Sequence, residues 1–183
     1  MKKIDITLRD GTKCTGDEFD SNDYKILQEI FKDWMAINVK LKSLGGRSLN
    51  VPDVLSEGLF CATFNAVRTN GKAYSYDCVS LDNFAGIQVK SASIANDCTS
   101  FGPTSTWDEL YFADFAPNGQ VDGNIYFYKI DQDFSDLVLN KKKNETFADQ
   151  QEEGRRPRFS IKDKLINENS LIPIKKINLL EDK

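Results

Sequence analysis

The apolar pattern of this chain changes period part-way along, and that change fixes most of what it can fold into. Tyr24, Leu27, Ile30, Phe31, Trp34, Ile37 and Leu41 recur three or four residues apart, the spacing that lines one face of an α-helix. Ser21 or Asn22 can cap this helix, and Gly45-Gly46 ends it. Pro52 suits the first turn of a second helix, where Val54, Leu55, Gly58, Cys61 and Ala62 share a face with Glu57 at its margin. After Asn70-Gly71 the period drops to two. Residues 73–79 and 86–93 read as strands around a loop at 80–85. Two aromatic-rich runs, 110–115 and 124–130, follow as strands, separated by Asn118-Gly119 and Asp122-Gly123 turn signals. Residues 3–8 alternate as a short strand or extended arm, and 161–166 read as partly helical. Helices followed by a meander of strands point to α/β or α+β: a central mixed sheet of four to five strands flanked by helices. The 183 residues fit one domain: an N-terminal arm and helix (1–49), a core (50–135) and a basic C-terminal segment (136–183).

The chain contains no histidine. That removes Ser-His-Asp and Cys-His nucleophilic sites, histidine zinc sites and any nuclease that uses a histidine base. Acid–base chemistry is left to carboxylates, lysines, tyrosines and metal-bound water. Cys14, Cys61, Cys78 and Cys98 are widely spaced, give no C-x-x-C pair, and read as small buried side chains. No run approaches the ~20 apolar residues of a membrane span, and the start lacks a signal-peptide core. A cytoplasmic protein with no membrane association is expected. Net charge is −4, but unevenly spread: 11 Lys+Arg stand against 8 Asp+Glu from Lys141 onward, and 13 against 20 before it. An acidic body with a basic end permits a localised contact with a polyanion.

One set of residues carries chemistry. Alternate residues of a strand share a face, so Gln88 and Lys90 lie on one side of the sheet. Antiparallel pairing through the 80–85 loop would set Asp77 opposite Gln88, and a helix packed on that face would add Glu57. Two carboxylates, an amide oxygen and an ammonium would then converge. Carboxylate and amide oxygens are the hard ligands Mg²⁺ prefers, and a lysine beside them can orient water and stabilise phosphoryl charge. Asp82, in the loop, is the rival to Asp77 as the central aspartate. A lysine set in Gly-Ile-Gln-Val-Lys-Ser-Ala-Ser is poorly explained as a solvated charge.

The stretch from Gly86 to Ser93 after Asp77 resembles the core of the PD-(D/E)xK nuclease superfamily, in the QxK variant. Residues 99–115, Thr-Ser-Phe-Gly-Pro-Thr-Ser-Thr-Trp-Asp-Glu-Leu-Tyr-Phe-Ala-Asp-Phe, look like the signature of a small type II restriction endonuclease family. This is the Bsp-type family, whose name-giving member reads GCNGC. Asn144–Gln151 and Gly154–Ile161 add to the resemblance, which runs from about Asn50 to Leu171; the first fifty residues match only in helical character. The resemblance implies a restriction-endonuclease-like core and Mg²⁺-dependent cutting of double-stranded DNA at a short palindromic site, with Mn²⁺ as a substitute cofactor. It implies Asp77, Gln88 and Glu57 as metal ligands and Lys90 as the catalytic lysine. The chain departs from the superfamily pattern at Gln88 and in having Tyr76, not proline, before Asp77. A neutral Gln forgoes a charge worth on the order of 4 kcal/mol to a cation at ~4 Å and an effective dielectric near 20, which Glu57 would offset.

Cutting both strands needs two sites and the chain offers one, so a homodimer on two-fold symmetric DNA is the economical arrangement. Arg155, Arg156 and Arg158 are candidates for guanine edges, and Lys141, Lys142 and Lys143 for phosphates. Ser91 and Ser93, following the lysine on its strand, join the DNA-contacting positions. Ser100–Thr106 could contact backbone or simply turn, and Trp107, Tyr111 and Phe112 read as core. A cognate methyltransferase would protect host DNA. The other readings are a repair or recombination nuclease on the same fold and a catalytically inactive DNA-binding module.

Overall fold

The computed structural model describes residues 1–69 and 75–181. The chain runs β1 (Lys2–Thr7), β2 (Lys13–Glu18), α1 (Ser21–Ser43), α2 (Asp53–Thr63), β3 (Ala66–Thr69), β4 (Cys78–Ser80) and β5 (Gly86–Ala92). It continues through β6 (Thr99–Ser100), β7 (Glu109–Asp114), β8 (Asn124–Ile130), β9 (Val138–Asn140), β10 (Glu145–Thr146) and α3 (Phe147–Glu152). Then come β11 (Arg158–Phe159), a π-helical turn at Lys162–Asn167 and β12 (Lys175–Asn178).

Eight strands form one mixed sheet in the order β1-β2-β3-β4-β5-β7-β8-β12, wider than the four to five expected. The additional strands are short or polar: β2 buries only Cys14 and Gly16, and β12 only Ile177, too little to show as alternation. Every adjacent pair is antiparallel except β5 and β7. A parallel pair needs a crossover, and residues 93–108 supply it. β6 lies within that crossover and pairs with β11, which pins the distant Arg155–Lys162 stretch beside the end of β5.

The α+β class is as expected, and two cores follow from strand alternation. On one face, Ile87, Val89, Ala113, Phe115, Ile125 and Phe127 pack against Leu27, Phe31 and Trp34 of α1 and Leu55, Leu59 and Phe60 of α2. On the other, Ala92, Leu110, Phe112, Tyr128 and Ile130 meet Phe101, Phe134, Phe147, Phe159 and Ile161. The C-terminal segment therefore contributes to both cores, with Ile177 and Leu179 completing the first. Trp107 and Tyr111 pack at the core margins, and Phe112 is fully buried.

Helix ends differ from expectation in one place. The cap of α1 is Asp20, not Ser21 or Asn22: its carboxylate accepts from the Asn22 and Asp23 amides at 2.8 and 2.9 Å, and Asp23 reciprocates at 3.1 Å. An extended backbone at Asp20 lets the short carboxylate fold back over the first turn. Gly45 ends the helix in the left-handed region, at φ +75°, with Gly45 N–H on the Lys42 carbonyl and Gly46 N–H on that of Leu41. Cys98 is exposed, unlike the buried Cys14, Cys61 and Cys78, because it rides the crossover loop. The strand expected over 73–79 is represented by Cys78–Ser80 alone; the Asn70-Gly71 turn and residues 72–74 lie outside the described residues.

Phe60 ties α2 to the sheet, its ring 4.7 Å from those of Phe64 and Tyr111 and 6.2 Å from Phe127. Phe60→Ala is expected to cost about 3–5 kcal/mol, read as a lowered midpoint in urea unfolding with an unchanged slope.

Candidate active site

β4 begins where the candidate site residues meet. Cys78 faces Ile87 across the antiparallel ladder, and the Asp77 N–H donates to the Ile87 carbonyl at 3.0 Å. One step further the ladder stops: the Val89 N–H donates to the Asp77 carboxylate at 2.8 Å rather than to a strand carbonyl. Asp77 therefore stands at a fork between two strands, just before β4 rather than inside it. The Gln88 side-chain amide donates to the same carboxylate oxygen. Asp82 sits at the other end of β4, exposed and held by the Asn65 amide at 2.5 Å.

Gln88 and Lys90 share the face that bears Ala92, on the side of the second core. Lys90 Nζ lies 5.4 Å from the centre of the Phe101 ring. Glu57 arrives differently from expectation. Its helix covers the opposite face, over Ile87 and Val89, and Glu57 comes in at the fork, where no strand among the described residues closes the gap beside Val89. Arg68 of β3 fixes it there, with Nε 2.6 Å from Glu57 Oε2 and a terminal nitrogen 3.6 Å from Asp53. Behind them Cys61 and Cys78 meet at 3.4 Å between sulfurs, joining the helix that carries Glu57 to the strand that follows Asp77. Burial and the Cys61 neighbour push the Cys78 thiol well up, so it stays protonated.

The electrostatics follow from crowding acids in a half-buried place. Burial first, then the Asp77 charge, push Glu57 from the ordinary 4.5 to about 7, against the opposing pull of Arg68. Burial also raises Asp77, resisted by the Val89 amide and by Lys90. Lys90 is lowered by burial, with Arg156 adding to the fall and Asp77 opposing it. The Asp77 charge thus makes Glu57 harder to ionise, and a cation beside them would relieve that repulsion. Among the described residues no three Cys, Asp or Glu side chains gather as a metal cage; the oxygen donors here are two carboxylates and the Gln88 amide.

A cleft of about 800 Å³ opens over this floor. Glu57 and Lys90 line its base, residues 46–51 form one wall, and Ser91, Ser93, Thr99 and Ser100 lie on the other. Of the arginines expected to meet DNA, Arg156 and Arg158 are exposed, and Arg156 is near enough to Lys90 to act on its charge. Arg155 is tied to Glu153 at 2.6 Å and Glu145 at 3.1 Å. Lys141, Lys142 and Lys143 are exposed in the turn between β9 and β10, away from the cleft lining, with Lys143 3.5 Å from Glu145.

The model of the Bsp6I restriction endonuclease family matches residues 19–168. The chain belongs to that family. It is 33% identical over 148 residues to the type II restriction enzyme Bsp6I of Bacillus sp. (strain RFL6), covering 80% of this chain and 82% of that one. No solved structure matches it. Membership makes the chain an enzyme of the restriction endonuclease class, and the match takes in α1, where sequence motifs alone offered only helical character. Two features of this family member escape its sequence. Arg68 has a faint signal, as the one charge in the four-residue strand Ala66–Thr69. The fork at Asp77 has none, because it depends on where pairing stops.

A raised carboxyl pKa has a signed consequence. Folded Glu57 holds its proton to about pH 7, whereas the unfolded chain releases it near the ordinary value. Its contribution to stability is therefore full below about pH 4.5 and is lost as pH rises through about 7. With chelator present, the metal-free protein should lose stability on the order of 1–3 kcal/mol from this group between pH 5 and pH 8. The loss should shrink in Glu57→Gln, as measured by urea unfolding at both pH values.

Proposed function

We propose that this chain hydrolyses double-stranded DNA at a short palindromic site, in a Mg²⁺-dependent reaction, as a homodimer. The observation that carries the reading is the fork itself: Asp77 holds the Gln88 amide and the Val89 N–H behind Glu57 and Lys90, which line one cleft, in a member of a restriction endonuclease family. GCNGC is the site proposed from the resemblance, double-stranded DNA the substrate and the cytoplasm the place of action. A cognate methyltransferase would mark the host's own copies. The chain acts as one domain, with 1–49 as arm and helix, 50–135 as catalytic core and 136–183 as the basic segment toward DNA.

The donor set fits Mg²⁺, with Mn²⁺ as a substitute. Asp77, Glu57 and Gln88 offer hard oxygens, and two acids that repel one another favour a divalent cation. Gln88 now turns its Nε2 toward Asp77; a half-turn of the amide presents Oε1 instead, an assignment nitrogen and oxygen exchange readily. Bound there, Mg²⁺ would lower the pKa of a water and neutralise charge on the phosphate.

The chain's own residues do the rest. The Val89 amide locks Asp77, and Arg68 keeps Glu57 at the fork with its charge compensated. Lys90, anchored over Phe101, points its ammonium at the cleft floor, where it orients the attacking water and holds charge that develops on the phosphate. Burial makes that ammonium a stronger donor of its proton than one in water. Arg156 and Arg158 take base edges, Ser91 and Ser93 take backbone oxygens, and Lys141–Lys143 take flanking phosphates.

Incubating the protein with unmethylated phage DNA and Mg²⁺ should yield discrete fragments that share one end sequence, and Mn²⁺ should support the same cuts. Lys90→Ala should slow cleavage by about 10²–10³-fold while duplex binding persists. A smear without a shared end would point to a repair or recombination nuclease. No cleavage with either cation would leave a DNA-binding module.

A further inference from the structure

We propose that the segment following α1 is a second, preformed DNA-backbone contact, in which Arg47, assisted by Lys42, grips a phosphate beside the one that is cut. The inference rests on the nuclease reading above and adds a site to it: the wall of the cleft opposite the serines. Lys42, Gly46, Arg47, Ser48, Leu49, Asn50 and Val51 form that wall.

The wall is rigid for a loop. The paired turn at Gly45 and Gly46 redirects the chain sharply at the end of α1. The Trp34 indole N–H then donates to the Leu49 and Asn50 carbonyls at 3.3 and 3.0 Å. The Leu49 N–H donates to the Asn38 side-chain oxygen at 2.7 Å. Trp34 is itself a core residue packed on Phe31 and Phe115, so the loop is bolted to the hydrophobic interior. A contact held in place before binding loses little conformational freedom on binding.

The charges on the cleft are arranged selectively. Its acids are engaged: Glu57 is 2.6 Å and Asp53 3.6 Å from Arg68. Asp97 accepts from Ser160 Oγ at 2.5 Å, Thr99 Oγ1 at 2.8 Å, and the Ile161 and Lys162 amides at 2.9 and 3.1 Å. Its cations are not engaged: Lys42 and Arg47 are exposed and form no ion pair among the described residues. The negative end of the α1 dipole accounts for Lys42, which lies in its last turn. It does not account for Arg47, three residues past the helix cap. An unpaired arginine on a stiff wall, facing Ser91, Ser93 and Ser100 across a floor that carries Lys90, matches a phosphodiester chain running through the cleft. In a chain of net charge −4, such placement concentrates positive charge where the polyanion passes.

Binding of fluorescein-labelled duplex to the full chain, followed by anisotropy in chelator across a range of NaCl, tests this without any cleavage. Each phosphate contact contributes about 0.9 to the slope of log K against log salt. Arg47→Ala should reduce the slope by about 0.9, Lys42→Ala by up to the same amount, and the double variant by about twice that. Arg47→Lys should keep the slope, since a phosphate needs only the charge. Lys25→Ala, at the far end of the same helix, serves as the control and should leave it unchanged, and thermal midpoints should match throughout. A double variant with the wild-type slope and affinity overturns the inference and leaves the nuclease reading standing. If the unmodified chain shows no salt-dependent duplex binding, the nuclease reading falls and this inference with it.

Discussion

The registry of β4 against β5 is the constraint on which the site depends. Side chains alternate along a strand, so a slip of one residue would send Gln88 and Lys90 into the helix-covered core and bring Ile87 and Val89 out. The register is held from several sides: β5 pairs with β4 on one edge and lies parallel to β7 over six residue pairs on the other. Asp77 then ends the ladder with its own carboxylate. By accepting the Val89 N–H it satisfies a donor that the departing strand leaves behind, and this ties the carboxylate's position to the backbone of the strand that carries the lysine.

Around that fork the protein accepts an electrostatic cost. Burial works against the ionisation of both half-buried acids, the Asp77 charge adds to it at Glu57, and the charge of Arg68 acts on both. Were Glu57 far from Asp77 and open to water, its carboxyl would titrate in the ordinary range and the metal-free site would be more comfortable. The strain is kept local. Arg68 spans Glu57 and Asp53, the apolar Cys61–Cys78 contact lies beneath, and the large aromatic clusters on both faces resist relaxation of the backbone. Discomfort of this kind is common where a group is shaped for a ligand rather than for stability.

Much of this was legible in the residues, for reasons that can be named. The α1 stripe and the period-two runs of β5, β7 and β8 are long enough to announce themselves. The Asp77–Gln88 pairing followed from alternation and a short loop. What escaped depends on longer-range geometry. β2 and β12 bury too few side chains to show a period. Asp20 caps a helix that Ser21 or Asn22 could equally have capped, because capping is decided by backbone direction. Glu57 comes near Asp77 as expected, yet its helix lies on the other face, and no sequence pattern reveals that a gap in the sheet lets it through. Arg155 looks like its neighbours in sequence, but two glutamates, eight residues apart, claim it.

The short pairing of β6 with β11 acquires a further meaning from the crossover that contains it. It is the link between the stretch with Arg156 and Arg158 and the chain leaving β5, where Lys90 lies. A strand residue advances about 3.3 Å, nearly the 3.4 Å rise of one step along a DNA strand. On the proposed reading those two residue pairs, Arg158 with Ser100 and Phe159 with Thr99, fix how far the arginines stand from the lysine.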